Sequence, residues 1–318
     1  MHTLVTIILL LVMMNPLAAQ DETRGTMTLT GFESPTLGRT YDYYLYLPAG
    51  YEADADRRYP VLYLLHGRGD DYYAWLNGVG VLDALIAAGD IPPVIAIMPD
   101  MPSSDRAGYY IDSAYTGADF PAEPVESAFF NDLIPHVDAT YRTLAERGGR
   151  VIGGYSMGGY GALRYALAHP QVFSGAIVLS PAVYTPQPPS DSSARLFGAF
   201  GVDETLFDEN RYTGLNYPAL FEPFAASDLA LAMFIVVGDD EWKHPAAEDQ
   251  QHDLDLEAHL LYNRIRRVPK VLAELRVYDG GHDWDVWRRG FEEGLLYLSQ
   301  RSTQRAVSGL LWVGSPAP

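Results

Sequence analysis

One serine of the chain has the setting of a catalytic nucleophile. Ser156 lies in the segment Gly154-Tyr155-Ser156-Met157-Gly158, which matches the pattern G-x-S-x-G. The apolar pair Val151-Ile152 leads into this segment and a helical pattern from Gly161 leaves it, which is the strand–turn–helix setting that the motif requires. Glycines allow a sharp turn without Cβ clashes and would leave the hydroxyl exposed. We therefore predict a nucleophile at Ser156 rather than an ordinary serine in a glycine-rich turn.

A serine hydroxyl is a poor nucleophile until a base takes its proton, and that base is commonly histidine. Of the eight histidines, His282 is the strongest candidate, because it lies between a strand pattern and the last helical pattern, in Tyr278–Trp284. Catalytic groups gather at such carboxyl ends of strands in open α/β sheets. His66 lies upstream of Ser156, and His244, after another strand, is a weaker candidate. The remaining histidines have settings that predict no catalytic role: His2, His136, His169, His252 and His259.

A carboxylate is needed to orient the base, and three adjacent ones compete for this role. The apolar strand Met233–Val237 ends in Gly238, followed by Asp239, Asp240 and Glu241. This position, between the serine and the histidine, gives the chain order Ser, acid, His that is typical of α/β-hydrolases. Asp and Glu can both fix the imidazole tautomer, so the spacing alone does not choose among the three.

The oxyanion of an acyl-transfer transition state needs two hydrogen-bond donors. One is the backbone N–H of the residue after the nucleophile, here Met157. The second comes from the loop after the predicted strand 59–65, where Leu64-Leu65-His66-Gly67 predicts the N–H of Arg68 as donor. Each such donor can lower the barrier by about 3 kcal/mol.

The elements that must position these residues alternate along the chain. This alternation predicts an α/β protein with a mostly parallel sheet and helices on both faces, and the motif order specifies an α/β-hydrolase fold. Strands are predicted at 40–47, 59–65, 93–98, 150–155, 173–179, 231–237 and 274–278, and helices at 81–88, 125–144, 159–168, 254–267 and 284–298.

The segment 181–228 interrupts the alternation. It contains the proline- and serine-rich run 186–193 and scattered aromatic residues. Long insertions between sheet elements are often lids or binding loops, but a packed surface excursion has the same length signature. The sequence leaves both interpretations open.

The composition excludes several classes of function. The chain has 41 Asp and Glu against 22 Lys and Arg, a net charge of -19, which disfavours binding to nucleic acid. It has no cysteine, so disulfides, thiolate catalysis and Cys-ligated zinc are excluded. We predict neither a cofactor nor a metal.

The N-terminus is typical of a signal peptide. The run Leu4–Met14 is apolar apart from Thr6, too short to span a membrane, and Pro16–Ala19 offers small residues for cleavage after Ala19. We predict a signal peptide at 1–19, a catalytic domain at 20–318 and a secreted or periplasmic protein without stable membrane insertion after cleavage. An uncleaved apolar anchor is the alternative, because no Lys or Arg precedes the run.

Taken together, the motifs resemble the esterase D-like group. This group includes S-formylglutathione hydrolases, secreted feruloyl and acetyl-xylan esterases of carbohydrate esterase family 1, and antigen 85 mycolyltransferases. The resemblance covers roughly residues 40–300. It implies that the acid lies three residues after the strand-end glycine, which selects Glu241 over Asp240 and Asp239, although Asp is usual there. The segments that carry the resemblance are Leu64–Gly67 with Trp75, Gly154–Ala162, and Gly281–Trp284 with Trp287.

The resemblance implies a secreted serine carboxylesterase that acts through an acyl-enzyme on a feruloyl- or acetyl-type ester of a carbohydrate or a similar small ester. Trp75, Tyr155 and Trp287 are the expected substrate-binding residues, and an aromatic cleft could include Tyr72, Tyr73, Tyr109 and Tyr110. Three alternatives stay open: an acyltransferase of antigen 85 type, a thioesterase like S-formylglutathione hydrolase, and a non-catalytic binding protein on the same scaffold.

Overall fold

The computed structural model describes residues 24–101, 108–119, 122–241 and 243–305, so the predicted signal peptide lies outside the described residues. The described part is organised around a sheet of eight strands, with a separate pair of two-residue strands beside it. The strands are β1 (Thr26–Ser34), β2 (Arg39–Leu47), β3 (Val61–Leu65), β4 (Ile95–Pro99), β5 (Ala114–Tyr115), β6 (Arg150–Tyr155), β7 (Gly175–Leu179), β8 (Val202–Asp203), β9 (Leu231–Gly238) and β10 (Val271–Tyr278).

The sheet is mostly parallel, as predicted. Its order is β1-β2-β4-β3-β6-β7-β9-β10, and only the hairpin β1–β2 and the β2–β4 pair are antiparallel. Every residue of β3, β4, β6, β7 and β9 is buried. Parallel strands that are covered on both faces appear in a sequence as largely apolar runs, which is why they could be predicted.

Helices cover both faces of the sheet. Side chains of α1 and α9 build the core on one face, and those of α4 and α8 contribute to the core on the other. None of the helices in the described ranges is both long and apolar enough to cross a bilayer. The helices are α1 (Leu76–Ala88), α2 (Val125–Ala128), α3 (Ile134–Thr140), α4 (Met157–Ala168), α5 (Ser193–Leu196), α6 (Glu209–Leu215), α7 (Tyr217–Ala226), α8 (Leu254–Ile265) and α9 (Trp284–Arg305).

The predicted helix 125–144 is wrong in two respects. A π-helical segment at Phe129–Leu133 lies between α2 and α3, because Pro135 lacks the N–H that a regular α-helix would need there. The helix also ends at Thr140, since Tyr141 is extended and Thr143 bridges to Tyr59 beside the sheet. The sequence analysis also missed β1, which pairs with β2 along its whole length.

The insertion 181–228 is packed rather than loose. It carries α5, α6 and α7, and α7 lies against α4. Its aromatic residues Tyr212, Tyr217 and Phe224 are buried and join the main core. The insertion therefore forms a fixed wall beside the end of β6 where Ser156 lies.

Candidate active site

Ser156 lies on a strained turn between β6 and α4. Its backbone has φ of 56° and ψ of -122°, a conformation that non-glycine residues rarely adopt. The flanking glycines are required by close packing: a Cβ on Gly154 would lie 2.1 Å from the carbonyl oxygen of Gly158, and one on Gly158 would lie 2.2 Å from that of Leu65. The turn thus presents the partly exposed Ser156 side chain above the sheet.

A continuous hydrogen-bonded chain joins Ser156, His282 and Glu241. Ser156 Oγ lies 2.9 Å from His282 Nε2, and His282 Nδ1 lies 2.5 Å from Glu241 Oε2. An ionised carboxylate only accepts hydrogen bonds, so Nδ1 carries the proton and Nε2 of the neutral ring is free to accept one from the serine. This is the arrangement by which a base activates a hydroxyl.

The loops after β9 and β10 bring the acid and the histidine together. The two strands are adjacent and parallel, so their carboxyl ends meet at the same edge of the sheet. The N–H of Asp240 donates to the carbonyl of Gly280 at 2.9 Å. A Cβ on Gly238 would lie 2.2 Å from that same oxygen, so the tight crossing of the loops requires glycine at the end of β9.

Glu241 is buried, and its second oxygen is fully engaged. Oε1 accepts from Ser180 Oγ at 2.5 Å and from the N–H of Gly238 at 2.9 Å. Ser180 Oγ in turn accepts from Trp287 Nε1 at 3.0 Å. Such partners hold the carboxylate in one orientation, because a buried charge without them would be costly. The sequence analysis missed Ser180; the signal was a polar residue directly after the wholly apolar strand β7.

Asp239 and Asp240 have other partners. Asp240 Oδ1 lies 2.6 Å from Lys243 Nζ at the surface, and the hydrogen bond and charge of Lys243 lower the pKa of that carboxyl. Asp239 Oδ1 accepts from the N–H of Gly280 at 3.1 Å, which ties it to the histidine loop. The structure therefore places Glu241, and neither aspartate, against the His282 ring.

One group of carboxylates has the spacing of a possible cation site. Oxygens of Asp239, Asp240 and Asp279 lie within 4.8 Å of one another, and all three residues are exposed. Exposed acidic groups are common without an ion. The absence of a metal or cofactor therefore stays a prediction.

The loop after β3 is oriented by His66. The N–H of Met101 donates to His66 Nε2 at 2.9 Å, so the ring carries its proton on Nδ1 and donates it to the carbonyl of Gly67 at 2.9 Å. In a trans peptide the C=O and the next N–H point in opposite directions, so this bond fixes where the N–H of Arg68 points. A Cβ on Gly67 would lie 3.4 Å from Ser156 Cβ, which shows how closely the loop passes the nucleophile.

Ser156 and His282 open into a cleft of about 390 Å³. Both predicted oxyanion residues, Arg68 and Met157, line it. Half of the lining comes from the insertion 181–228, so this segment is both packed against the core and part of the cleft wall. The other lining residues are Tyr109, Ala182, Tyr184, Asp191, Ser192, Ser193, Leu196, Phe197, His244 and Leu254.

The structure corrects the prediction that Trp75, Tyr155 and Trp287 contact the substrate. It places them in the core beneath the turn. Trp75 and Tyr155 are 0% exposed and Trp287 is 6% exposed. Tyr155 stacks on Trp287 with ring centroids 4.3 Å apart, and the edge of Trp75 meets Tyr155 at 5.5 Å. Their apolar area stabilises the platform under the nucleophile instead of facing a ligand.

The other aromatic candidates divide between cleft and core. Tyr109 lines the cleft, and its hydroxyl lies 2.9 Å from Ser193 Oγ. Tyr110 is buried and donates to the carbonyl of His66 at 2.9 Å. Tyr72 and Tyr73 pack against Tyr44, and neither is among the residues that line the cleft.

These features define an α/β protein with a Ser–His–Glu arrangement at the carboxyl edge of its sheet. The family model described as "Putative esterase" matches residues 34–298. The chain belongs to this esterase family.

Individual relatives point the same way. The "Endo-1,4-beta-xylanase/feruloyl esterase" of Xylanibacter ruminicola is 32% identical over 55% of this chain, although the match spans only 24% of that longer protein. The "Acetyl esterase" of Caldicellulosiruptor saccharolyticus is 26% identical over 76% of this chain and 84% of its own length. A solved ferulic acid esterase shares the fold, with a TM-score of 0.67 at 24% identity over 87% of this chain and 98% of that one. The predicted esterase D-like membership and the α/β-hydrolase fold are confirmed.

Proposed function

We propose that the chain is a serine carboxylesterase that works through an acyl-enzyme. The observation that carries the proposal is the continuous chain from Ser156 through His282 to Glu241, which opens on a cleft bordered by Arg68 and Met157. Hydrolysis needs a nucleophile, a base with a fixed tautomer and oxyanion donors, and these residues supply each of them.

The reaction follows from this geometry in two halves. Ser156 Oγ attacks the ester carbonyl while its proton passes to His282 Nε2, and the N–H groups of Arg68 and Met157 stabilise the oxyanion. The intermediate then collapses, His282 gives its proton to the departing alkoxide, and the alcohol leaves. In the second half, water attacks the acyl-enzyme while His282 takes its proton. Collapse of this intermediate returns the proton to Ser156 and releases the acid, so Glu241 keeps its charge throughout.

The substrate we propose is a feruloyl- or acetyl-type ester of a carbohydrate or a similar small ester. The named relatives include a feruloyl esterase and an acetyl esterase, which supports this class. The aromatic and apolar side chains Tyr109, Leu196 and Phe197 give the cleft a wall suited to a carbon skeleton. Secretion is part of the proposal and rests on the apolar N-terminal run.

The decisive test is Ser156→Ala, assayed with p-nitrophenyl acetate and a fluorophosphonate probe. Cleavage and labelling should both be lost, while circular dichroism and the melting temperature stay close to wild type, because the alanine removes only the hydroxyl. Ser227→Ala is the matched control, since its hydroxyl bonds to the carbonyl of Phe224, at the end of α7. Wild-type cleavage by Ser156→Ala would overturn the proposal. Product analysis with and without a carbohydrate acceptor separates hydrolysis from acyl transfer.

A further inference from the structure

His244 is a buried side chain in the cleft with unmet hydrogen-bonding capacity. It lines the same cleft as Ser156 and His282, and it is only 5% exposed. Within the part of the chain that the structure describes, neither ring nitrogen makes a hydrogen bond. Buried polar atoms are nearly always paired, and an unpaired one costs about 1–3 kcal/mol, so this ring calls for a partner.

The surroundings of His244 hold it in place without satisfying its ring. Its backbone N–H donates to Asp253 Oδ1 at 2.8 Å, which fixes this residue to the start of α8. Across the cleft, Asp191 of the insertion brings Oδ1 to 3.5 Å from His244 Nδ1, too far for a good hydrogen bond. The ring and the carboxylate both line the cleft, so a small polar group lying beside them there could contact both.

The two serines of the cleft wall already have partners. Ser193 Oγ lies 2.9 Å from the hydroxyl of Tyr109, and Ser192 Oγ accepts from the N–H of Ala194 at 3.3 Å. Beside them, Leu196, Phe197 and Leu254 present carbon surface. The cleft thus combines an apolar wall with the polar pair His244 and Asp191, a combination typical of sites that orient a ligand through few polar contacts.

We propose that His244 and Asp191 form a subsite that binds a hydroxyl group of the ester substrate. The inference rests on the proposed esterase function. A hydroxyl has one O–H to donate and lone pairs to accept, so it can donate to the carboxylate while accepting from a protonated ring nitrogen, or donate to an unprotonated one. The hydroxyl can be the phenol of a hydroxycinnamoyl acyl group or a sugar hydroxyl on the alcohol side, and the experiment separates the two.

The test compares kcat/KM for two pairs of esters. One pair is methyl ferulate and its 4-O-methyl ether; the other is an acetylated methyl xyloside and the same compound with its free hydroxyls methylated. The wild-type protein should favour the hydroxylated member of one pair by about 10- to 100-fold, because the methyl ether has no O–H to donate to either group. A preference in the first pair places the hydroxyl on the acyl group, and one in the second places it on the alcohol.

Two variants and a control complete the design. His244→Phe keeps the ring volume and should bring the preference to within about two-fold, because the substrate hydroxyl loses its partner on the ring. Asp191→Asn, at a half-exposed position that tolerates change, should weaken the preference in the same direction. His259→Phe is the control, because His259 is exposed and its Nδ1 bonds only to the carbonyl of Asp255.

The outcomes separate this inference from the proposed function. Equal loss on all four esters in His244→Phe, or no preference in the wild type, overturns the subsite. If His244→Phe does not fold, Asp191→Asn decides, and a preserved preference there overturns it. p-Nitrophenyl acetate carries no hydroxyl, so its hydrolysis does not depend on the subsite. A wild-type protein that hydrolyses neither this ester nor the four test esters refutes the esterase proposal itself.

Discussion

At the scale of single residues, the site depends on the unfavourable backbone conformation of Ser156. A non-glycine residue in the conformation of Ser156 costs about 1–3 kcal/mol, and the surrounding packing must offset this cost. A Cβ at Gly154, Gly158 or Gly67 would clash with neighbouring atoms, so the packing around the turn is tight. Strain at a partly exposed hydroxyl is therefore a physical sign of function in its own right.

The choice of acid gives the first prediction. Glu241→Gln should lower kcat by about 10³- to 10⁴-fold, because the amide favours the wrong imidazole tautomer and cannot stabilise the imidazolium. The measurement is steady-state hydrolysis of p-nitrophenyl acetate by folded protein.

Asp240→Asn is the matched control for this change. Its carboxylate pairs with Lys243 at the surface, and such exposed pairs contribute little. Its kcat should stay within about two-fold of wild type. A large loss in Asp240→Asn with an active Glu241→Gln would mean that the loop carries a different acid in solution.

The Trp287 N–H gives a second prediction at this scale. Trp287→Phe keeps the stack on Tyr155 but removes the donor to Ser180, so Glu241 loses part of its fixed orientation. We expect kcat to fall about 5- to 10-fold, the equivalent of one neutral hydrogen bond, with KM unchanged. Trp284→Phe is the control, since Trp284 packs on the same rings. Equal losses in both variants would show that packing, and not the N–H, matters.

At the scale of elements, a partly buried ion cluster joins α2 to α4. Glu126 Oε2 lies 2.9 Å from Arg164 Nη2, and Glu126 Oε1 lies 2.8 Å from His169 Nε2. Burial alone would raise the pKa of Glu126, but the hydrogen bond from His169 and the charge of Arg164 outweigh it, so the pKa is lowered. Arg164 also donates to the carbonyl of Leu215, which connects the cluster to the insertion.

This cluster predicts a pH-dependent stability. A carboxyl whose folded pKa is depressed stabilises the fold above its unfolded pKa, and that stability is lost as pH falls through the folded pKa. Glu126→Gln should therefore lower the free energy of unfolding by about 2 kcal/mol at neutral pH and by progressively less in acid. Urea denaturation across the pH range measures this.

Asp228→Asn serves as the comparison for Glu126→Gln. Asp228 pairs with Lys270 at the surface and has a positive φ that asparagine tolerates. Its effect should stay near zero at every pH. A Glu126→Gln difference that persists unchanged in strong acid would show that shape, rather than charge, holds α2 against α4.

The elements that the sequence predicted well are those whose pattern of apolar residues has a single physical cause, burial on both faces of the sheet. Buried central strands such as β7 and β9 contain apolar runs that end at Ser180 and Gly238, so their pattern is unambiguous. The prediction of a helix over 125–144 failed at its end. The sequence pattern remains helical beyond Thr140, but the chain leaves the helix there and Thr143 bridges to Tyr59. Such contacts join residues far apart in the chain, and no local pattern records them.

The site was predictable to the same degree. Ser156 and His282 stand at strand ends and were found by position, whereas Ser180 and His244 gain their surroundings only from folding. The substrate-contact prediction for Trp75 failed because an aromatic residue near a motif can line a cleft or support it from below. Burial, which sequence does not report, separates the two.

At the scale of the whole molecule, the charge is the dominant feature. The net charge is -19, and residues 1–19 contain no Asp, Glu, Lys or Arg, so removal of that segment would leave the excess unchanged. A field of this sign slows the approach of anions and acts over the Debye length, about 30 Å at 0.01 M salt and about 3 Å at 1 M. Neutral esters should therefore reach the cleft more readily than anionic ones at low salt.

The prediction is that kcat/KM for p-nitrophenyl valerate exceeds that for the mono-p-nitrophenyl ester of glutaric acid, which carries a free carboxylate, by about 10-fold at low salt. The difference should shrink as salt is raised, while the neutral ester changes little, because screening acts only on the charged substrate. Stopped-flow or steady-state assays at matched pH measure both. A gap that does not respond to salt would place the discrimination in contacts within the cleft, where Arg68 and Asp191 have opposite charges, rather than in the field of the whole protein.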